Sequence, residues 1–428
     1  MGIKVMLNKI SVLSVAVRFA KNRVYDVWSI SAFRCERRIR RQGVIKVGFL
    51  CQFIPAWTKV EGIYQMMRSD ERFEPYLICL PSGIKNNCLE KPESLENDTY
   101  EYFLAHGYDE AINALVGKNM WFDLKELGLS YVFYPRPYNS FMPAGYTSRE
   151  VSRFSKICLL NYCIEITEEI TATTLNRNFM SNVAYYFAEN SAVQDINIRN
   201  NRLAHRLGLQ QTLCVGMPVL ESLYQKRNEI SSSWAFSKND FRVLWTPRWT
   251  TDLSLGGSNF FTYYKELPRY AREHPDADFL FRPHPLAFSH FIETGEMTEE
   301  EVEEFKAQIG AMPNVSLDKE QQYDATLWGA SVLVSDYSGM MPEYFVTGKP
   351  LIFCASNMLL KLSEFGQRLV EGCYVVNNAD ELRDCLDQLH RGEDPMREKR
   401  LQILQEVYGS TNERATQRIV DTLINERS

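Results

Sequence analysis

The 428-residue sequence has no apolar run of 18 residues, so it predicts no membrane-spanning helix. Its ten cysteines form no Cys-x-x-Cys pair, keep no regular spacing and have no companion histidine cluster. That excludes a zinc-finger pattern and a disulfide framework. Several lie inside apolar runs, as in Lys156-Ile-Cys-Leu-Leu-Asn-Tyr-Cys163, which predicts buried thiols in a reducing, cytosolic compartment. There is no His-Glu-x-x-His, no phosphate-binding P-loop, no Gly-x-Ser-x-Gly and no Asp-x-Asp at a strand end, which argues against a metal hydrolase, a kinase or a serine hydrolase. Basic residues are outnumbered, 48 to 54, and the net charge of −6 argues against a nucleic-acid partner. Internal repeats and low-complexity tracts are absent. What is abundant is aromatic residues, 24 Phe, 22 Tyr and 7 Trp, within a 45% hydrophobic composition. A chain so rich in them buries a core, and its length fits two domains.

The charge is uneven. Residues 1–43 carry ten Lys/Arg against Asp26 and Glu36, a net +8 that leaves −14 on the other 385 residues. Within this segment Ile3, Met6, Leu7, Ile10, Leu13, Val17, Ala20, Val24 and Trp28 recur at three- and four-residue steps, one face of a helix. The segment ends in Arg34-Cys-Glu-Arg-Arg-Ile-Arg-Arg41. The basic cluster follows the apolar stretch and no cleavage site is evident, which is unlike a secretory signal. A basic amphipathic helix reads as a membrane-surface element on an anionic leaflet. A helix packed on the body of the protein is the alternative.

From Val44 the pattern alternates. Strands are predicted at 44–51, 76–80, 131–134, 156–161 and 183–187, with helices at 60–69 and 109–115 and an irregular polar excursion at 82–100. A second series places strands at 213–218, 242–246, 278–282, 314–317, 332–335, 351–354 and 374–376. Helices fall at 260–273, 298–309, 323–329, 340–347 and 379–390. Residues 396–426 read as two helices broken near Gly409-Ser410. Strand and helix alternating in this way implies parallel sheets covered by helices. The expected fold class is α/β: two doubly wound, Rossmann-like domains facing a cleft. The expected boundaries are 1–43 for the basic segment, 44–210 and 211–395 for the two domains, and 396–428 for C-terminal helices.

Three strand ends carry chemistry. Leu244-Trp-Thr-Pro-Arg248 ends in Arg248. Phe279-Leu-Phe-Arg-Pro-His-Pro285 presents Arg282 and His284 between prolines. Val332-Leu-Val-Ser-Asp-Tyr-Ser-Gly339 ends in small hydroxyls before a helix at Met340. Ser335, Ser338 and Gly339 are candidates to surround a phosphate at a helix N-terminus. Arg282 and Arg248 are candidates to neutralise it, and His284 to donate to its oxygens. Glu343, seven residues after Asp336, suits ribose hydroxyls. Read singly, the serines also fit helix caps, Asp336 a bond to its own loop, and the Arg-Pro-His-Pro stretch a structural turn.

These stretches, with Gly348-Lys-Pro-Leu-Ile-Phe353 and Tyr408-Gly-Ser-Thr-Asn-Glu-Arg-Ala-Thr-Gln-Arg-Ile-Val420, resemble the CDP-glycerol glycerophosphotransferase family of teichoic-acid-type enzymes. The likeness covers about 212–425, and more weakly 130–210. It implies a GT-B fold with the nucleotide donor in the C-terminal domain. Arg282 and His284 would contact the donor pyrophosphate; Ser335, Asp336 and Ser338 would hold its phosphates; Glu343 would hold the ribose. The family's Trp-His-Gly-Thr stretch, with its presumed base, is replaced here by Leu160-Asn-Tyr-Cys-Ile-Glu165, and its second serine after Asp-Tyr-Ser by Gly339. Glu165, with Tyr162 beside it, is the candidate to serve the acceptor side in place of that histidine.

The reading is a transferase at the cytoplasmic face of the cell membrane. It moves an alditol phosphate from a CDP-alditol to a glycan or lipid-linked hydroxyl, with release of CMP, in teichoic-acid-like or capsular polymer synthesis. It needs no cofactor or metal, and the sequence carries no signal for an oligomeric state. The alternatives are a GT-B glycosyltransferase using a nucleotide sugar and a non-catalytic, membrane-attached assembly subunit.

Overall fold

A computed structural model describes residues 17, 20–27, 43–134, 136–229, 231–320, 323–355, 359–408 and 414–426. Most of the basic N-terminal segment therefore lies outside the described residues, as does the break at 409–410. Residues 20–27 are helical, with Tyr25 and Asp26 buried and Asp26 paired with Arg177 at 2.7 Å.

The chain divides into two compact units. The first takes residues up to Tyr162, Ala172–Pro218 and the chain from Arg414; the second takes Cys163–Thr171 and Val219–Glu413.

In the first unit seven strands form one parallel sheet: β1 (Ile45–Cys51), β2 (Phe73–Cys79), β3 (Ile112–Asn113), β4 (Tyr131–Tyr134), β5 (Lys156–Leu160), β6 (Val183–Phe187) and β7 (Gln211–Leu213). Their order is β7-β6-β5-β4-β1-β2-β3. β1, β4, β5 and β6 are apolar almost throughout because helices cover both faces of a parallel sheet. The helix predicted at 109–115 is instead β3 and the start of a two-stranded ribbon, Leu115–Gly117 with Met120–Trp121. Its apolar residues lie too few and too close for a helical face, so they follow the sheet edge. The excursion at 82–100 contains a small hairpin, Ile84–Lys85 with Cys88–Leu89, and the start of a helix, Asp98–Ala105, capped by Asn97. The strand expected at 213–218 ends at Leu213, and a helix begins at Pro218, an imino acid suited to a first helical turn.

In the second unit six parallel strands, β8 (Phe241–Thr246), β9 (Ala277–Phe281), β10 (Val315–Leu317), β11 (Val332–Ser335), β12 (Leu351–Cys354) and β13 (Tyr374–Val376), stand in the order β10-β9-β8-β11-β12-β13. The chain runs outward one way from β8 and returns to run outward the other way from β11. The crevice at such a reversal, at the carboxyl ends of the strands, is where doubly wound sheets bind ligands.

Two segments group differently from the boundaries read in the sequence. Cys163–Thr171 belongs to the second unit, held by Glu168 N–H donating to Lys361 O at 2.9 Å and Ser363 N–H to Ile166 O at 2.9 Å. The last helix, Ala415–Asn425, belongs to the first: Ile419, Val420 and Leu423 are buried in its core, beside the helix Glu61–Arg68. Nine cysteines among the described residues are free, six of them buried. No helix among the described residues is long and apolar enough to cross a membrane.

Candidate active site

Strand register brings the three chemistry-bearing turns of the second unit to one edge. Trp245 of β8 lies across from Phe281 of β9, and Thr246 lies across from Ser335 of β11. Arg248, Arg282 with His284, and Ser335–Gly339 therefore leave the sheet side by side, and Arg248 and Ser335 flank the reversal between β8 and β11.

Asp336 ties these turns together. It is 2% exposed and accepts the Arg248 N–H at 2.7 Å, the Asn259 N–H at 3.1 Å, the Asn259 side-chain amide at 2.9 Å and the Ser258 hydroxyl at 3.3 Å. Burial raises its pKa and these donors oppose the rise. Asp336 thereby joins the turns after β8 and β11 to Ser258 and Asn259. Ser335 is also buried; Thr246 donates to its hydroxyl at 2.8 Å, which reaches Asp336 O at 2.8 Å and Ser338 Oγ at 3.2 Å. Ser338 and Gly339 lie further out, at the start of the helix Met340–Phe345.

Arg248 donates from Nη1 to Tyr337 O at 3.0 Å and sits 4.7 Å over the Tyr337 ring. Gly256 closes over this pair. Its φ is +102°, and a Cβ there would meet Tyr337 Cδ1 at 2.7 Å and Arg248 Nε at 3.0 Å, so only glycine fits. The Tyr337 hydroxyl donates to Glu165 at 2.8 Å, and the Cys163 thiol donates to the other carboxylate oxygen at 2.8 Å. Glu165 is 7% exposed, and burial pushes its pKa up against these two bonds and the Arg248 charge. The sequence reading sets Glu165 on the acceptor side of the first domain. The structure groups it with the second unit, with both oxygens engaged.

On the other side of the crevice Asp318 fixes Arg282, accepting from Nη1 at 2.5 Å. The Asp318 side chain is fully buried and also takes Ser233 Oγ at 2.8 Å. The Arg282 guanidinium lies 5.1 Å over the Tyr323 ring, and the Tyr323 hydroxyl donates to Glu343 at 2.8 Å. Arg282 and Glu343 are thus joined through one aromatic ring, and Glu343 is 2% exposed.

His284 stands at the rim. The Leu286 N–H donates to its Nδ1 at 3.2 Å. Surrounding protein, then the Arg248 charge, push the imidazole down to about 4. Its outer edge is exposed, so water softens that push, and at neutral pH the ring is uncharged. With Nδ1 accepting, the proton sits on Nε2, which makes His284 a hydrogen-bond donor.

Residues 165–425 match the family described as CDP-Glycerol:Poly(glycerophosphate) glycerophosphotransferase. The chain belongs to this family. It is a CDP-glycerol glycerophosphotransferase-like transferase. Among solved structures, the wall teichoic acid polymerase TagF is 12% identical, with a TM-score of 0.57 over 100% of this chain and 98% of that one. UDP-GlcNAc 2-epimerase from Neisseria meningitidis, bound to UDP-GlcNAc, is 13% identical, with a TM-score of 0.58 over 89% of this chain and 99% of that one. The S. aureus MnaA-UDP co-structure is 12% identical, with a TM-score of 0.57 over 89% and 96%. These likenesses establish a GT-B-type fold of two parallel α/β sheets. No curated protein matches by sequence.

For this glycerophosphotransferase nine of the ten candidate residues named from the sequence fall in the second unit, with His284 exposed at its rim, and Tyr162 falls in the first. Arg248, Ser335, Asp336, Ser338, Gly339 and Glu165 form one hydrogen-bonded and packed group; Arg282 and Glu343 form another through Tyr323. Sequence reasoning missed Asn259, Asp318, Tyr323 and Tyr337, which place the cations. Tyr337 lay within a stretch already singled out. Asn259, Asp318 and Tyr323 had no local signal.

One cluster among the described residues has metal-ligand spacing. His274, Asp276 and His390 have donor atoms within 4.8 Å of one another. His274 and Asp276 precede β9, at the sheet edge opposite the turns, and Asp276 already pairs with His390, the last residue of the helix Ala379–His390, at 3.3 Å. The sequence pattern did not show this cluster, because His390 joins it from 114 positions away.

Proposed function

We propose that this enzyme transfers an alditol phosphate, glycerol phosphate foremost, from a CDP-alditol to a hydroxyl of a glycan or lipid-linked acceptor. The acceptor oxygen attacks the β-phosphorus, the bond to the bridging oxygen breaks, and CMP leaves. Charge grows on that bridging oxygen. The observation that carries the reading is an exposed His284, its Nδ1 held by the Leu286 N–H, in the same group of turns as Arg282 and Arg248 at the carboxyl edge of the second sheet. A neutral donor and two permanent cations suit a pyrophosphate that gains charge at its bridge. Ser338 and Gly339 would hold phosphate oxygens, and Glu343 with Tyr323 the ribose. Asp336, Ser335 and Glu165 act by position: Asp336 sets the backbone of Arg248, and Glu165 sets Tyr337, against which Arg248 packs.

The basic N-terminal segment would attach the enzyme to the anionic inner face of the cell membrane, where cell-envelope polymer is made, whether teichoic-acid-like or capsular. Val17, Val24 and Val27 are 58%, 48% and 64% exposed, an apolar strip that supports this role.

A thermal-shift screen tests the donor. CDP-glycerol, CDP-ribitol, UDP-sugars and GDP-sugars are compared, with CMP release measured for any that bind. A ligand at 100 times its Kd stabilises the fold by about 2.7 kcal/mol. Stabilisation by CDP-glycerol with CMP release is expected. Stabilisation by a UDP- or GDP-sugar alone would replace this reading with that of a nucleotide-sugar transferase, and binding without turnover would favour a non-catalytic subunit.

A further inference from the structure

The cluster of His274, Asp276 and His390 stands apart from the donor turns, and its two imidazoles are held by packing. His274 follows the helix Glu266–Glu273, its N–H donating to Tyr270 O at 2.9 Å, and Asp276 leads into β9. His390 ends the helix Ala379–His390. Both imidazoles therefore sit at helix carboxyl ends, whose partial negative charge favours a cation. His274 stacks on the Tyr270 ring with centroids 4.0 Å apart, and His390 stacks on Phe241 at 4.6 Å. The two imidazoles face each other at 67°, with centroids 5.6 Å apart. Stacking of this kind sets ring directions before any ligand arrives.

The donor atoms of the two imidazoles and the carboxylate lie within 4.8 Å of one another. Bonds of ~2.0–2.1 Å in a tetrahedral zinc site put ligand atoms ~3.3 Å apart. His390 Nε2 and Asp276 Oδ2 already stand at 3.3 Å, and the Asp276 side chain is 71% exposed, so an ion can enter from that side. A second carboxylate backs the set. Asp387 Oδ1 lies 3.6 Å from His274 Nε2 and accepts the Tyr270 hydroxyl at 2.7 Å. A carboxylate fixed in this way beside a metal-bound imidazole orients the ring and raises its basicity. The arginines nearby are engaged by other carboxylates: Arg383 by Glu266 and Glu273, each at 2.6 Å, and Arg391 by Glu393 at 3.1 Å. Among the described residues Asp276 and Asp387 form their ion pairs with the two histidines. Imidazoles bind metal uncharged, so the two carboxylates supply the negative charge that a divalent ion neutralises.

We infer that His274, Asp276 and His390 bind a divalent transition-metal ion of the zinc class, with Asp387 as a positioning residue behind His274. Two imidazoles favour zinc, cobalt or nickel over magnesium and calcium, which take oxygen ligands. The ion would clasp the end of the helix Ala379–His390 to the start of β9, at the sheet edge opposite the donor turns. Its role is to hold the second unit together, independently of the transfer reaction.

The test titrates the full chain, free of any histidine tag, with zinc chloride alone. One ion per chain is expected to bind and to raise the melting temperature. Cobalt(II) in its place should give the visible absorption of a four-coordinate site. His390→Gln and Asp276→Asn should each weaken zinc binding by more than Asp387→Asn, which should cost about tenfold. Circular dichroism of the metal-free variants checks the fold, and Asp276→Asn, at an exposed position, carries the test if His390→Gln does not fold. A wild-type chain that binds no zinc overturns the inference. So does equal zinc affinity in wild type, His390→Gln and Asp276→Asn, which would place the ion elsewhere, for instance at the exposed thiols Cys88 and Cys214. Magnesium displacing zinc at equal concentration would also overturn it, since the corner would then be an acidic patch without selectivity.

Discussion

The Tyr337 hydroxyl donates a 2.8 Å hydrogen bond to Glu165, 172 residues earlier in the chain. Each residue is buried, and Arg248 lies 4.7 Å over the same tyrosine ring. One short segment, Cys163–Thr171, therefore supports the arginine at the end of β8 through a side chain of the turn after β11.

Replacing Glu165 with Ala leaves the Tyr337 hydroxyl with Thr167, 3.3 Å away. We expect a loss of about 1–3 kcal/mol in stability, the cost of a buried polar group losing its partner. CDP-glycerol affinity should fall with it as Arg248 loosens. Glu165→Gln keeps one acceptor oxygen and should bind donor nearly normally. Burial raises the folded-state pKa of Glu165 above its usual 4.5, so its contribution is present below that value and is lost as pH rises through the folded pKa. Chemical denaturation should show wild type losing stability relative to Glu165→Gln as pH rises from 4.5. Parallel pH curves would mean that the carboxylate is not held in this way.

His284 is depressed from 6.5 to about 4, so it is unprotonated near neutrality. The unfolded chain binds more protons between these values, and stability should fall as pH drops from 6.5 towards 4. An anionic donor bound at Nε2 favours the charged ring and should raise this pKa. Titration of the imidazole by NMR, with and without CDP-glycerol, reads both effects. In folded His284→Ala, turnover should fall about 10²–10³-fold while donor affinity changes little, because the hydrogen bond strengthens as the bridge gains charge. A near-normal rate of CMP release would remove His284 from the chemistry.

Gly339 faces Cys163. A Cβ on Gly339 would lie 3.3 Å from Cys163 Cβ, although the glycine's φ of −62° is open to any residue. The obstacle to a serine here is thus the neighbour and not the backbone. Gly339→Ser should destabilise by about 1 kcal/mol, the lower end for crowding a packed site. Cys163→Gly in the same chain should relieve that cost. A double-mutant cycle measures the coupling, and purely additive effects would contradict the contact.

Deleting residues 1–41 should release the protein from vesicles containing phosphatidylglycerol and leave CDP-glycerol binding intact. Binding of the whole chain should weaken as salt rises, since each basic residue contributes about 1 kcal/mol at most and is screened. Unchanged pelleting of the shortened chain would assign membrane contact elsewhere or abolish it.

The sequence alone determined most of the strands and the turns that follow them. Parallel strands buried on both faces are short apolar runs, and Val332–Ser335 and Leu351–Cys354 could be read directly for that reason. The Arg-Pro-His-Pro and Ser-Asp-Tyr-Ser-Gly stretches were legible because strand, turn and helix start lie within a few residues of each other. Tertiary structure decided what those residues touch. The family resemblance implies that Asp336 holds phosphate, and it sets Glu165 on the acceptor side, after a strand, where the family's histidine would lie. Their burial and their partners, Arg248, Asn259 and Ser258 for one and Tyr337 for the other, come from distant segments that no local pattern records. The same holds for Arg282, whose partner Asp318 is supplied by the chain beyond β10. Periodicity reports which face of an element is buried; only the folded chain brings a charge and its counterpart within a hydrogen bond's reach.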